Sequence, residues 1–233
     1  MSKIAEFWDA FAAKDNDKLI KLIEKEPTLV NEVQADNKNS FLLRSLNSKR
    51  PQDLLKCIVT SPSLNFNYEQ GTEHTTTRKV LIESAQIDLI KLVLENPEFL
   101  FSDNELAYSL AIQAQKKFTT SYKERHEKNP TTPTAIATAE KMKNLAVIIP
   151  ILREATRKYA LEKKDDDLLQ RLNSQVSRQA LLEKNQREVE QLQNQLEQLR
   201  TSHTKEQERL YRDIGKEHEA FIEEAQSIIS RKH

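Results

Sequence analysis

Three stretches of one pattern, each displaced by 35 residues, constrain this chain more than anything else in it. Leu19-Ile20-Lys21-Leu22-Ile23, followed by Pro27 and Leu29, recurs as Leu54-Leu55-Lys56-Cys57-Ile58 with Pro62 and Leu64. It recurs again as Leu89-Ile90-Lys91-Leu92-Val93 with Pro97 and Phe99. A fixed period of this size built from helical patterns marks a stacked solenoid, because one unit alone has no surface on which to bury its apolar face. Positions 19, 20, 22 and 23 cover a wide arc of a helix, as expected of one packed on more than one side. Pro27 ends that helix. Phe11, Leu46 and Leu81 repeat at the same spacing, so each unit reads as helix, short turn, helix and a looser exit segment. Pro51 is placed to open the second helix of its unit. Asn65–Thr77, polar and containing Gly71, predicts a projecting turn.

Composition narrows the class further. Lys+Arg and Asp+Glu are both 36, so a net charge of zero gives no global case for binding nucleic acid or an anionic membrane. Only two glycines occur, Gly71 and Gly215, which argues against β-sandwiches, phosphate-binding loops and dinucleotide-binding turns. The expected class is all-α. The single cysteine, Cys57, falls on an apolar helix position and reads as a small buried hydrophobe. Met1-Ser2-Lys3-Ile4-Ala5-Glu6 lacks the layout of a signal peptide, and no apolar run approaches the ~18 residues of a membrane span. A soluble protein of a reducing, cytoplasmic compartment is expected.

From Asp103 the period is lost. Leu106, Tyr108, Leu110, Ala111, Ala114 and Phe118 predict a longer helix, and Thr119–Thr134, with Pro130 and Pro133, a polar insertion. A second helix follows around Met142–Leu152, with Pro150 expected to kink or restart it. After Pro150 there is no further proline, and Leu182, Val189, Leu192, Leu196 and Leu199 form a coiled-coil seam. The stripe continues through His203, Leu210, Ile214, Phe221, Ala225 and Ile228, while Arg200–Thr204 offers a place for the tail to turn into a hairpin. The expected organisation is a helical repeat domain over 1–152, with units at about 5–39, 40–77, 78–102 and an enlarged fourth at 103–152. A tail over 153–233 follows, either one long coiled-coil helix or a helical hairpin.

Reactive constellations are sparse. Asp165-Asp166-Asp167 reads as a solvated face or a helix restart, and the five histidines lack the i, i+4 spacing of a helical metal site. No nucleophile elbow or phosphate loop occurs. The basic group Lys116, Lys117, Lys123, Arg125 and Lys128 is mixed with Glu124 and Glu127 and reads as an ordinary charged surface. No catalytic residue, metal or cofactor is expected.

Ala85-Gln86-Ile87-Asp88-Leu89-Ile90-Lys91-Leu92-Val93-Leu94-Glu95 resembles the second-helix consensus of ankyrin repeats, and Pro27-Thr28-Leu29-Val30-Asn31 resembles their exit segment. The resemblance covers about residues 5–102. It departs from the family in lacking the Thr-Pro-Leu-His opening and the glycine between the helices. The resemblance implies a non-enzymatic scaffold that binds a protein through first helices and finger tips, here Arg44, Asn47, Ser48, Glu73, His74, Arg78 and Lys79. Homodimerisation or a second contact falls to the tail. Glu217-x-Glu219…Glu223-Glu224 with a short basic end is similar to the acidic signal of bacterial type IV secretion effectors. That likeness implies, as an alternative, a protein delivered into a host cytoplasm to modulate a host protein or membrane trafficking.

Overall fold

The structure, a computed structural model, describes residues 2–33, 39–70, 75–103, 105–126 and 128–230, without the side chains of 221 and 224–230. It divides into two compact units, Met1–Asn173 and Ser174–His233. The first holds helices α1 (Lys3–Ala12), α2 (Asn16–Lys25), α3 (Phe41–Asn47), α4 (Gln52–Val59), α5 (Thr77–Ser84), α6 (Ile87–Leu92), α7 (Pro97–Leu100), α8 (Ala107–Arg125) and α9 (Pro133–Lys163). A single turn of tighter helix spans Pro27–Asn31. Helix α10, Asp166–Ser230, begins in the first unit and supplies the described residues of the second. The class is all-α. Among the described residues the named strands are β1 (Glu69–Gln70) and β2 (Thr75–Thr76), paired antiparallel.

Local chemistry accounts for the helix ends. Asp15, Ser40, Thr76, Thr132 and Asp165 accept from the backbone N–H groups of Lys18, Leu43, Lys79, Ala135 and Leu168. Each such cap is worth about 1 kcal/mol. Between the two helices of each unit one residue takes a left-handed backbone: Lys14 (φ 59°), Lys49 (φ 51°) and Ala85 (φ 56°). The next amide then reaches back over the helix end, Asp15 N–H to Ala10 O at 3.0 Å and Arg50 N–H to Ser45 O at 3.0 Å. This closure usually employs glycine. Here two lysines carry it, while after Ala85 the Gln86 amide donates to Ser84 Oγ at 3.4 Å instead.

The helix pairs stack in two layers. Helices α2, α4, α6 and α9 pack in succession on one side, and α3, α5 and α8 on the other. Leu19, Leu54 and Leu89, which lead the three copies, are fully buried, and Leu29, Leu64 and Phe99 of the exit segments are buried with them. Each such side chain contributes about 1.5–3 kcal/mol on leaving water. Polar side chains stitch neighbouring units together. Asn31 donates through Nδ2 to Ser63 O and accepts at Oδ1 from Asn65 N–H at 2.9 Å, while Ser61 Oγ donates to Pro27 O at 3.2 Å.

Four features differ from the sequence reading. The caps Ser40 and Thr76 stand 36 residues apart, one more than the second helices. Helix α8 continues through Thr119–Arg125, where an insertion was expected, and Thr119 Oγ1 is satisfied by Gln115 O at 2.8 Å. Pro150 lies inside α9 without restarting it. Both Pro150 and Ala146, whose carbonyl loses its N–H partner, lie on the exposed side of α9, where a carbonyl without that partner is least costly. The first unit also extends past 152: Thr156, Ala160, Leu168 and Leu172 are buried, and Arg171 donates to Ser102 O at 2.8 Å.

In the second unit the backbone is helical through Arg200–Thr204, so the chain does not turn into a hairpin there. Thr201 and Thr204 return their hydroxyls to Glu197 O and Arg200 O at 2.9 and 3.0 Å, the usual accommodation of threonine inside a helix. No described side chain of this unit is buried.

Candidate interaction surfaces

Helices α3 and α5 are neighbours, and they carry most of the residues expected to meet a partner. Asn47 and Ser48 are exposed at the end of α3, and Arg44 is half-buried. The Arg44 guanidinium lies 5.6 Å from the Trp8 ring centroid and 5.5 Å from that of Phe11, against a cluster in which Phe7 and Phe41 are 4.5 Å apart. Lys79, half-buried, follows the Thr76 cap on α5. Glu73 and His74 lie outside the described residues.

Arg78 does not belong to this surface. It is 1% exposed, and its guanidinium donates to Asn67 Oδ1 at 2.6 Å, Phe101 O at 3.1 Å, Ser102 Oγ at 3.1 Å and Glu98 O. Burial pulls its pKa down, opposed by the Glu105 and Glu98 carboxylates. A planar fork with donors on both terminal nitrogens ties the finger segment to the turn after α7, a structural task that a single ammonium cannot perform. Arg78 is therefore corrected from a contact residue to an internal tie. The sequence carried a signal for this: 36 positions earlier stands Leu42, which is fully buried.

A second surface of the same unit escaped sequence reasoning. A groove of about 1310 Å³ runs between the α6–α7 segment and α9, with Leu92, Leu94, Pro97, Pro150, Ile151 and Tyr159 among its lining residues. Tyr159 is held by Phe101, ring centroids 5.4 Å apart. Lys91, Glu95, Glu154 and Lys158 give it a charged border of both signs. Leu92, a member of the third repeat pattern, is 46% exposed here. Its neighbours come from distant parts of the chain, which periodicity alone does not bring together.

Of the basic group, Lys116, Lys123, Arg125 and Lys128 are exposed, and Lys117 is tied to a neighbouring helix. Lys117 pairs with Glu83 at 3.2 Å, and Lys141 lies over Phe118 at 5.1 Å, its pKa lowered by burial, raised by Glu83 and lowered again by Lys117. Cys57 is half-buried, and burial followed by the Glu24 charge pushes its thiol pKa up, away from thiolate reactivity. Asp165 caps α10, as the helix-restart reading required. Among the described residues no group of three or more His, Cys, Asp or Glu side chains is placed to hold a metal ion, and no helix is long and apolar enough to cross a membrane.

On α10, within the second unit, the expected seam stands in solvent. Leu182, Val189, Leu192, Leu196 and Leu199 are 43%, 53%, 64%, 52% and 68% exposed. Off the seam, charges pair along the helix, Arg187 with Glu183 and Lys184 with Glu188. Leu210 and Ile214 extend the exposed stripe, and Phe221, Ala225 and Ile228 have side chains outside the description. Glu217, Glu219 and Glu223 of the acidic run are exposed, and the Glu224 side chain is not described.

Compared with family models, curated proteins and solved structures, the chain matches none.

Proposed function

We propose that this chain is a non-enzymatic interaction protein, in which the stacked unit engages a protein partner and α10 makes a second, helix-to-helix contact. The observation that carries the reading is the seam: five apolar side chains at heptad spacing stand in water on a helix whose charges lie on its other faces. Covering the exposed parts of ten such side chains in a pair of helices is worth on the order of 10 kcal/mol. Association costs ~4–15 kcal/mol of lost freedom, which places the contact in a weak, concentration-dependent range. For the stacked unit, support comes from Arg44, Asn47, Ser48 and Lys79 on the adjacent helices α3 and α5, with the apolar groove beside α9 as a further surface.

Two sets of substitutions test this in the full chain, Leu192→Lys with Leu196→Lys and Arg44→Glu with Lys79→Glu. Sedimentation and affinity capture read the outcome, with circular dichroism confirming that helix content is kept. The expected result is that the seam pair removes tail-mediated association and the α3–α5 pair removes capture by the stacked unit. Unchanged behaviour of both variants in both measurements would end the reading.

A further inference from the structure

We propose that the seam of α10 is covered by a second copy of this chain, aligned parallel and in register over residues 182–199. This rests on the reading of α10 as an association helix and names its partner. The seam positions alternate by three and four residues: Leu182, Asn185, Val189, Leu192, Leu196, Leu199. Five are apolar, Asn185 is polar, and all are exposed.

In a parallel, in-register pair every layer is a residue meeting itself. Asn185 then faces Asn185, and each amide offers the other both a donor and an acceptor. A self-facing amide layer favours this register, because any shift sets the Asn185 amide against an apolar side chain or out of reach of its copy. The antiparallel alternatives serve the same residues less well. Pairing Val189 with Leu192 sets Asn185 against Leu196 and buries an amide without a partner. Pairing Leu192 with Leu196 sets Asn185 against His203 but turns Leu182 toward Glu206. Only the parallel pair keeps all five apolar layers apolar.

The flanking positions agree. Gln186, Glu188, Gln193, Gln195 and Arg200 border the seam, and across a parallel pair Glu188 meets Gln193 and Gln195 meets Arg200. No like charges are opposed. Nor is there a block of one sign that would select a foreign helix, as charged borders do in partner-selective coiled coils. The charges that are present turn inward to their own helix, as Lys184 does to Glu188 at 3.8 Å. Arg178 falls on the next seam position upstream, and His203 and then Glu206 on the next two downstream, where each would meet its own copy. These charged and polar layers make 182–199 the apolar segment of the seam.

The test uses the full chain with Cys57→Ser, into which Leu192→Cys, Leu196→Cys or the outward-facing control Asn194→Cys is placed. A disulfide needs Cβ atoms about 4 Å apart, a separation that a self-facing layer supplies. Under diamide oxidation, Leu192→Cys is expected to form the covalent dimer about tenfold faster than Asn194→Cys, and sedimentation of the parent chain to approach twice 27.0 kDa. Crosslinking only between mixed Leu192→Cys and Leu196→Cys chains would overturn the parallel alignment while keeping the association helix. A chain that remains monomeric, yet loses a captured protein on Leu192→Lys with Leu196→Lys, would overturn the second copy as occupant. A monomer indifferent to those lysines would overturn the association helix as well.

Discussion

The two units dispose of the same kinds of residue in opposite ways. In the first, leucines at a 35-residue period are interred, and a stray arginine is surrounded by acceptors until it too is interred. In the second, leucines at heptad spacing stand in water while the charges pair along the helix surface. Repeats cover one another because each neighbour offers the complement of the last, as the reciprocal bonds of Asn31 with Ser63 and Asn65 make plain. A single helix has no neighbour of its own. Apolar periodicity therefore reports that a face must be covered; whether the same chain covers it depends on the repeat.

Truncating matched leucines separates these cases most sharply. Leu89→Ala, at a fully buried site, is expected to cost about 3 kcal/mol in denaturant unfolding of the first unit. Leu192→Ala, in chain dilute enough to be monomeric, should cost no more than about 0.5 kcal/mol. Equal losses would erase the distinction between the units. Next in size is Arg78→Met, which leaves Asn67 Oδ1 and the Phe101 carbonyl without their donor. It should lower first-unit stability by about 2 kcal/mol and leave association unchanged. Arg78→Lys should fail to rescue it. The smallest effect has the opposite sign. Lys49→Gly relieves a left-handed backbone in a turn closed by the Arg50 to Ser45 bond and should raise the denaturant midpoint by the equivalent of about 0.5–1 kcal/mol.

Much of the helix-pair architecture was legible because burial and period coincide at Leu19, Leu54 and Leu89. What escaped notice shares a physical cause. The expectation for Arg78 took its charge to mean exposure, yet desolvation is tolerable where four acceptors converge, and these come from α7 and from loops that no local pattern places together. Pro150 read as a break because a missing N–H usually is one, but it falls on the exposed side of α9, where the lost bond is least costly. The end of the first unit was drawn at 152 on composition, although Leu168 and Leu172 already carried the apolar signal. The groove was illegible in principle. Its two walls, within 91–97 and 150–163, meet only in the tertiary fold.

The aromatic cluster under Arg44 contains the chain's single tryptophan, with Trp8 5.6 Å from Phe7, 5.7 Å from Phe11 and 6.1 Å from Phe41. Fluorescence from Trp8 thus belongs wholly to the N-terminal end of the stack, whereas far-ultraviolet ellipticity draws heavily on the long helix α10. If the units melt separately, the two spectroscopic traces will part company along one titration. The protein thereby carries one optical label for the N-terminal end of the stack and one for its total helix content, without any dye being attached.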